Sequence, residues 1–376
     1  MQASTIDFDK KPAILGARLS QMIETGRDQA RAVFANLRAY PPTDALTHIG
    51  RGGQVSIDHI QGTTEVRISD TTTGGEWSRI HPNAMGQLGQ MLDLPGGHLR
   101  AELTSGEEWR VAAACDYLRA HLTLTASKRV LIRTASGNGG MDVRAILSDR
   151  YRRIDSALLA ATFGHAINAG GLVPYQASDD GLAWSIGAVS PRAFIIDLPD
   201  GSQDHVAPVI RLSNSDFGTG ATTLSIGLLR TLCANGLVGE IAHRAVHLGS
   251  AIPDDVELGA DTIQAESQAQ SLVLRDRVAA ACDPAKIEKI IAKLRKAATQ
   301  TIEKPMDYVD ALSKARRITQ AQGEQVKDIL LKRDPEQVPS GAITRYTVAQ
   351  AVSYLAHGTE AVNDRGNLEA LALALV

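Results

Sequence analysis

Residues 143–153 concentrate the side chains of this sequence that are best suited to binding phosphate. The segment reads V-R-A-I-L-S-D-R-Y-R-R and carries four arginines and a tyrosine where a predicted strand runs into a predicted helix. Arginine presents a planar fork of donors that fits phosphate oxygens, and a tyrosine ring offers a face on which a base can stack. The segment therefore predicts contact with nucleic acid, and with single strands in particular because their bases are exposed.

Two neighbouring segments extend this predicted surface. A hairpin at residues 128–147 carries two more arginines, and a loop at residues 214–220 combines flexible backbone with one aromatic ring. The predicted nucleic-acid-binding residues are Arg129, Arg133, Arg144, Arg150, Tyr151, Arg152, Arg153, Asn214 and Phe217. In the structural alternative, the arginines are solvated or form ion pairs, and the loop only satisfies its own backbone. The candidate ion-pair partners are Asp142, Asp149 and Asp155.

The charge balance limits how such a chain binds nucleic acid. The sequence has 376 residues, of which 44% are hydrophobic and 22% are charged, and its formal net charge is -3. An acidic chain does not coat nucleic acid by bulk positive charge, so any binding surface must be local. The hydrophobic share predicts a globular protein of two or three structural units.

Cysteine usage and hydropathy predict a cytoplasmic protein. Cys115, Cys233 and Cys282 are few, odd in number and widely spaced, which fits neither a disulfide framework nor a metal-binding cluster. No apolar run approaches the roughly 18 residues of a membrane span, and residues 1–30 lack the order of a signal peptide. We therefore expect small buried cysteines and no membrane partner.

Familiar catalytic motifs are missing from the sequence. It contains no G-x-x-x-x-G-K-[ST], G-x-G-x-x-G or G-x-S-x-G segment, so neither an enzyme class nor a cofactor is indicated. His243 and His247 would suit a metal only on a helix, whereas their surroundings favour a strand, and no metal site is predicted. The alternative is a metal-dependent enzyme that processes nucleic acid or nucleotides. Its site would be centred on Asp149, Asp155 and the arginines.

Hydrophobic periodicity predicts an α+β fold with a central, mostly antiparallel sheet, an N-terminal helix and a helical C-terminal region. The N-terminal helix spans residues 13–38 and ends before Pro41 and Pro42. Residues 307–331 are predicted to form one helix. The predicted regions are 1–125 with helices and small strands, 126–252 as the strand-rich core, and 253–376 as helices.

The hairpin at residues 128–147 is predicted from two alternating runs around a glycine-rich loop. Alternation assigns its side chains to two faces. The apolar face is predicted to hold Val130, Ile132, Val143, Ala145 and Leu147. The opposite face is predicted to hold Arg129, Arg133, Asp142 and Arg144, beside Leu131 and Ile146. We therefore expect one core face and one charged face, followed by a helix capped by Asp155 or Ser156.

Several segments between residues 80 and 360 occur in a distinctive order. They are Ala84, Gln87 and Leu88 followed by Pro95; V-R-A and L-S-D-R-Y within residues 143–151; Asn214, Ser215 and Gly218; Cys233 with Asn235, Gly236 and Leu237; His247; and Thr344, Arg345 and Tyr346. Together they resemble a family of phage and plasmid proteins that is catalogued as a domain of unknown function, DUF family 932. The resemblance implies an origin in a phage, plasmid or integrated element, and it implies no particular activity.

These observations lead to three hypotheses. The first is a non-enzymatic protein of a mobile element that binds single-stranded DNA and acts in recombination or strand annealing. Its outline resembles the ring-forming annealing proteins of phages, in which strands and a helix present a basic groove, so we expect a homo-oligomer. The second is the enzyme described above. The third is a self-assembling interaction protein with no role at nucleic acid.

Overall fold

The first of two sheets is built from strands between residues 43 and 148. The computed structural model describes residues 13–70, 77–137, 140–191, 193–230, 236–245, 258–334, 337–339, 341–359 and 362–376. The strands of the first sheet are β1 (Thr43–Ile49), β2 (Val55–His59), β3 (Val66–Asp70), β4 (Trp77–Ile80), β5 (Lys128–Gly137) and β6 (Gly140–Ser148). Within the described ranges their order is β1-β5-β6-β4-β3-β2. Of the strand pairs described in this sheet, only β4 and β6 pair in parallel.

The second sheet follows in sequence and is antiparallel throughout. Its strands are β7 (Val173–Asp179), β8 (Trp184–Val189), β9 (Phe194–Asp197), β10 (Gln203–Asn214), β11 (Thr222–Arg230) and β12 (Gly236–Ala245). Among the described residues the order is β12-β11-β10-β8-β7, and β9 pairs with the start of β10. The strands at residues 126–252 therefore belong to two sheets and not to one central sheet, because the β5–β6 hairpin joins the strands that precede it.

Helices lie before, between and after the sheets. They are α1 (Ala13–Ala39), α2 (Pro82–Met91), α3 (Gly96–Leu103), α4 (Glu108–Leu124), α5 (Ser156–Ala169), α6 (Ala260–Ala281), α7 (Pro284–Thr299), α8 (Pro305–Lys314), α9 (Gln320–Lys332), α10 (Arg345–His357) and α11 (Val362–Ala374). The predicted α+β class, the N-terminal helix and the helical C-terminal region are confirmed. In the described part of the chain, no helix combines the length and the apolar character needed to cross a membrane.

One helix prediction was wrong. Residues 307–331 form α8 and α9 and not one helix, since Arg316 between them has a φ of 55° and Thr319 starts α9 with a reciprocal capping box.

The face assignment of the β5–β6 hairpin was also wrong for the residues of β6 that follow Val143, whereas Val130, Ile132 and Val143 share one apolar face as predicted. The register shifts between Arg133 and Thr134, whose partners are Ala145 and Val143, so Arg144 is an extra residue in a bulge. Each side chain on β6 after the bulge therefore lies on the face opposite to the predicted one. Val130, Ile132, Val143 and Ile146 pack in the cluster that contains α2 and α4. Leu131, Ala135, Ala145 and Leu147 are buried on the other face, which was expected to be charged.

Helix α1 lies against β7, the edge strand of the second sheet. A Cβ atom on Gly26 would stand 2.0 Å from the carbonyl carbon of Tyr175, so only glycine allows this approach. The Oε1 atom of Gln29 accepts a hydrogen bond of 3.0 Å from the backbone N–H of Ala177. The helix thus covers an edge that would otherwise offer unpaired backbone groups.

Helices α5 to α11 pack on one face of the second sheet and contribute to the large core there. The fully buried Tyr346 of α10 donates from its hydroxyl to Asp204 Oδ2 at 2.9 Å, and Arg230 Nε donates to the same oxygen at 2.6 Å. The T-R-Y segment therefore joins α10 to the sheet. Of the cysteines, Cys115 is buried and Cys282 is half-buried. Cys233 and His247 lie outside the described residues.

Candidate functional site

The loop that follows β10 connects the second sheet to the first. The Tyr151 hydroxyl donates to the carbonyl oxygen of Ser215 at 2.9 Å. The guanidinium of Arg133 donates from NH1 to the carbonyl oxygen of Asp216 at 2.6 Å. Two consecutive carbonyls of the loop are therefore held by side chains from the first sheet and from the segment that leaves it.

The carbonyl oxygen of Phe217 is the third acceptor of this loop. Asn83 Nδ2 and Gln87 Nε2 of α2 donate to it at 3.0 and 2.9 Å. The Oε1 atom of Gln87 accepts from the backbone N–H of Ile146 at 2.9 Å, so this glutamine bridges the loop and β6. We refer to residues 215–217 with these donors as the junction. It positions the charged groups described next.

Arg133 is buried at the centre of the junction, with 5% of its surface exposed. Its Nε atom donates to Asp44 Oδ1 at 2.7 Å, and its guanidinium carbon lies 5.7 Å from the centre of the Tyr151 ring. Burial lowers the pKa of Arg133, but the carboxylates of Asp44 and Asp216 outweigh it, and the net pKa is raised. Arg133 therefore stays charged and its donors serve the protein itself.

The carboxyl group of Asp216 is buried beside Arg133, and the two do not form a hydrogen bond. The distance from Arg133 NH1 to Asp216 Oδ1 is 3.9 Å. Burial raises the pKa of Asp216 to about 6, while the charge of Arg133 and a hydrogen bond from Ser156 act in the opposite direction. We attribute the raised pKa to desolvation because Arg133 makes its close ion pair with Asp44 and not with Asp216.

The Ser156 hydroxyl organises the floor beside Asp216. Its oxygen accepts from Trp184 Nε1 at 2.9 Å and from Asn214 Nδ2 at 2.8 Å. The Oδ1 atom of Asn214 accepts from the Thr222 hydroxyl at 2.5 Å. Asn214 is buried in this network, so in this structure its amide serves the protein and faces no ligand.

A pocket of about 520 Å³ opens next to these groups. Its walls come from the end of α1, from β1, β5 and β6, from the start of α5, from the β7–β8 turn, from the loop after β10 and from α6. The charged residues that line it are Asp44, Arg133, Arg144, Arg153, Asp155, Asp179 and Asp216. Its size is typical of a small-molecule site, which occupies about 300–1,000 Å³.

Arg144 reaches this pocket from the bulge of β6. It donates from NH1 to the carbonyl oxygen of Gly181 at 2.8 Å and from NH2 to that of Ser136 at 2.7 Å, and it lies 5.7 Å from the centre of the Phe217 ring. Among the described residues no carboxylate forms an ion pair with Arg144. Its charge is therefore oriented by carbonyl groups and is not neutralised by an acid.

Four of the predicted binding residues line the pocket: Arg133, Arg144, Arg153 and Phe217. Arg153 Nε lies 3.6 Å from Asp44 Oδ2, within ion-pair distance. Arg152 pairs with Glu266 of α6 at 3.1 Å, and Arg150 is exposed beyond the end of β6. Arg129 lies on β5 opposite His48. The arginines of residues 143–153 are therefore spread over different surroundings and do not form one row.

Tyr151 and Phe217 do not offer free ring faces. Tyr151 is 8% exposed and packs with Arg133, and burial raises the pKa of its hydroxyl. Phe217 is 6% exposed. The stacking role predicted for Tyr151 does not fit this placement, because a base needs an accessible ring face.

Sequence reasoning missed three residues of the pocket. Tyr40 follows α1, is 57% exposed and lines the pocket, which makes it the accessible ring that Tyr151 was expected to provide. Its sequence signal was an aromatic residue directly before two prolines, which hold the chain in a fixed direction. Asp44 and Asp216 carried no such signal, since their partners are distant in sequence.

Three of the carboxylates that line the pocket, those of Asp44, Asp155 and Asp179, are held by partners within the protein. Asp44 faces two arginines, the Oδ1 atom of Asp155 accepts from the Leu158 N–H at 3.1 Å as the cap of α5, and Asp179 Oδ1 accepts from the Gly181 N–H at 2.8 Å. Over the described residues, no group of three or more histidines, cysteines or acidic residues is arranged to hold a metal ion.

The fold and the pocket define an α+β protein whose charged cleft lies at the junction of two sheets. Comparison of the chain with models of protein families, with curated proteins and with solved structures finds no match. The resemblance to phage and plasmid proteins therefore stays a prediction.

Proposed function

We propose that this protein binds single-stranded nucleic acid at the pocket beside the junction. The observation that carries the proposal is the convergence of Arg133, Arg144 and Arg153 on one cleft whose rim bears the exposed ring of Tyr40. Arginine and an accessible aromatic ring are the side chains that contact the backbone and the bases of a single strand.

The arginines of the pocket divide into two roles. Arg133 is held by Asp44, by the backbone carbonyl of Asp216 and by the Tyr151 ring, so we assign it to support of the pocket wall. Arg144 and Arg153 are the candidates for phosphate, because Arg144 has no acidic partner among the described residues and Arg153 holds Asp44 only loosely. Phosphate oxygens can replace the carbonyl and carboxylate acceptors of these two side chains.

The biological setting of this binding is the part of the proposal that rests on sequence. The resemblance described above supports a protein of a phage or plasmid that acts in recombination, including strand annealing, in the host cytoplasm. The same analogy supports a homo-oligomer. A local cleft on a chain of net charge -3 is compatible with such binding and predicts a strong dependence on salt.

A second candidate function is an enzyme that processes nucleotides or nucleic acid. The observation that favours it is Asp216, whose pKa of about 6 suits a general acid or base near neutral pH. Asp149, which was expected at the centre of such a site, does not line the pocket, whereas Asp155 does. Turnover of an oligonucleotide or nucleotide that is lost in Asp216→Asn would favour the enzyme over a pure binding protein.

Binding of a labelled single-stranded oligonucleotide as a function of salt tests the proposal. The double variant Arg144→Gln, Arg153→Gln should bind more weakly, and the slope of log affinity against log salt should decrease by about 0.7 for each phosphate that the variant no longer neutralises. The matched control Arg275→Gln, Lys332→Gln removes two charges from exposed ion pairs of α6 and α9 and should bind like the native chain.

Two results would overturn the proposal. One is the absence of binding by the native chain even at low salt. The other is an equal reduction of affinity in the control variant, which would mean that charge alone and not the pocket is responsible. Urea unfolding of each variant verifies that the fold is kept, and mass measured in parallel tests self-association. A large particle without affinity for nucleic acid would support the third hypothesis, an interaction protein.

A further inference from the structure

One oxygen of Asp216 is an unused acceptor inside the pocket wall. The residue is 5% exposed and lines the pocket, and no group among the described residues donates a hydrogen bond to its Oδ1 atom. A buried acceptor without a donor is costly, and such groups in folded proteins are explained by strain, by water or by a ligand. Asp216 lines a cleft of ligand size, and this favours a ligand as the missing partner of its carboxylate.

The other residues that line the pocket indicate which chemical groups this ligand contains. Arg144 and Arg153 attract an anion, Asp216 requires an N–H or O–H donor, and the exposed ring of Tyr40 offers a stacking face. A nucleotide combines these three features in its phosphate, the donor edge of its base and the flat ring of that base. The volume of about 520 Å³ suits one nucleotide and not a run of several.

We propose that the pocket holds one nucleotide of the bound strand and selects a base with an exocyclic amine, whose N–H donates to the carboxylate of Asp216. This inference rests on the proposed function and adds a base preference to it. Tyr40 stacks on the selected base, and Arg144 and Arg153 contact its phosphates.

The preference follows from the donor and acceptor pattern of the bases. Cytosine and adenine place an amine where uracil and thymine place a carbonyl oxygen. A carboxylate accepts a hydrogen bond from an amine but repels a carbonyl oxygen. At this position, cytosine and adenine therefore gain a charge-assisted hydrogen bond, whereas uracil and thymine meet a repulsion. A buried polar group that is left unpaired by the wrong ligand is the strongest source of discrimination in such sites.

The groups around Asp216 keep its carboxylate available for this role. It faces Arg133 of β5 and Asp44 of β1, the Tyr151 side chain, and Asp155 and Ser156 at the start of α5. Arg133 is committed to Asp44 at 2.7 Å, so it does not occupy Oδ1. With a pKa of about 6, Asp216 is ionised in most molecules at neutral pH and accepts from the base.

The decisive experiment compares oligodeoxycytidine with oligodeoxyuridine of equal length. The two polymers differ at the amine or oxygen of C4 and at the adjacent ring nitrogen, and both are pyrimidines of similar stacking. The native chain should bind the cytidine polymer about tenfold more tightly at neutral pH. In Asp216→Asn the amide can donate to the uracil oxygen, so the preference should disappear or reverse. The control Asp276→Asn, at an exposed position on α6, should keep the native preference.

Each outcome of this experiment decides one question. If the native chain binds neither polymer, both this inference and the proposed function fail. If it binds both equally, the inference fails while the proposed function stands. If the native preference survives in Asp216→Asn, another group reads the base and the assignment to Asp216 is overturned. The comparison on the native chain needs no variant, so it stays decisive even if Asp216→Asn does not fold.

Discussion

Replacement of Asp216 by asparagine separates two descriptions of the buried charge at the junction. In one description Asp216 and Arg133 form a stabilising ion pair. In the other the Asp216 carboxylate is a desolvated charge that the fold tolerates for its function. The structure favours the second, because NH1 of Arg133 lies 3.9 Å from Oδ1 and the pKa of Asp216 is raised to about 6.

The expected magnitude follows from the pKa. The ordinary value for this group is 3.8, so a folded-state value of about 6 corresponds to about 3 kcal/mol. The folded state of the native chain holds a proton at Asp216 between these two values, whereas the unfolded state does not. The contribution of Asp216 to stability is therefore most favourable below 3.8 and decreases as the pH rises through 6. Asparagine carries no charge and has no such dependence.

Urea unfolding of the native chain and of Asp216→Asn across about pH 4 to pH 7 measures this effect. The free energy of unfolding of the variant, relative to the native chain, should increase by about 2.5 kcal/mol as the pH rises over this range, since part of the total effect lies below pH 4. The control Asp276→Asn removes an exposed acid and should show a nearly constant difference. If Asp216→Asn instead becomes relatively less stable as the pH rises, the ion-pair description is correct and our reasoning about desolvation is refuted.

Three further substitutions, each measured by urea unfolding, test the contacts of the junction and the packing of α1 on β7. Arg133→Met leaves buried acceptors without a donor and should cost about 3–5 kcal/mol, so a cost near zero would contradict its central role. Gln87→Leu removes both hydrogen bonds of the bridge between the loop and β6 and should cost about 1–3 kcal/mol. Gly26→Ala places a Cβ atom 2.0 Å from the Tyr175 backbone and should cost about 1–3 kcal/mol or more, whereas Gly97→Ala, with open space around it, should cost nothing.

The sequence predicted the features of the fold that depend on neighbours in the chain. The hairpins, the first helix and the cap of α5 follow from alternation, from prolines and from the position of Asp155. The order of the strands in the first sheet was not predictable in this way, because the order β1-β5-β6-β4-β3-β2 places strands side by side that are far apart in sequence. The bulge at Arg144 was equally unpredictable, because the alternation argument assumes that residues of the two strands pair one to one. One extra residue reversed the faces of β6.

The candidate site was predictable only in part, for the same reason. Residue types identified arginines that reach the pocket, but burial was decided by distant partners. Tyr151 is buried because its hydroxyl donates to Ser215, which lies 64 residues further along the chain. Asp216 belongs to a loop that a sequence alone reads as a turn. The pKa of Asp216 is raised because Arg133 forms its close ion pair with Asp44 of β1 and not with Asp216. That pairing depends on a residue of a distant strand.

The division of labour among the arginines determines how the binding hypothesis must be tested. Arg133 supports the junction, so its removal damages the fold and any binding at once. Arg150 and Arg152 do not line the pocket, so their removal changes the charge of the chain while the arginines of the cleft stay in place. Among the arginines that the structure describes, only Arg144 and Arg153 line the pocket while keeping donors that a phosphate can occupy. A variant of these two, compared with a control of equal charge, therefore separates recognition at a site from attraction to a positive surface.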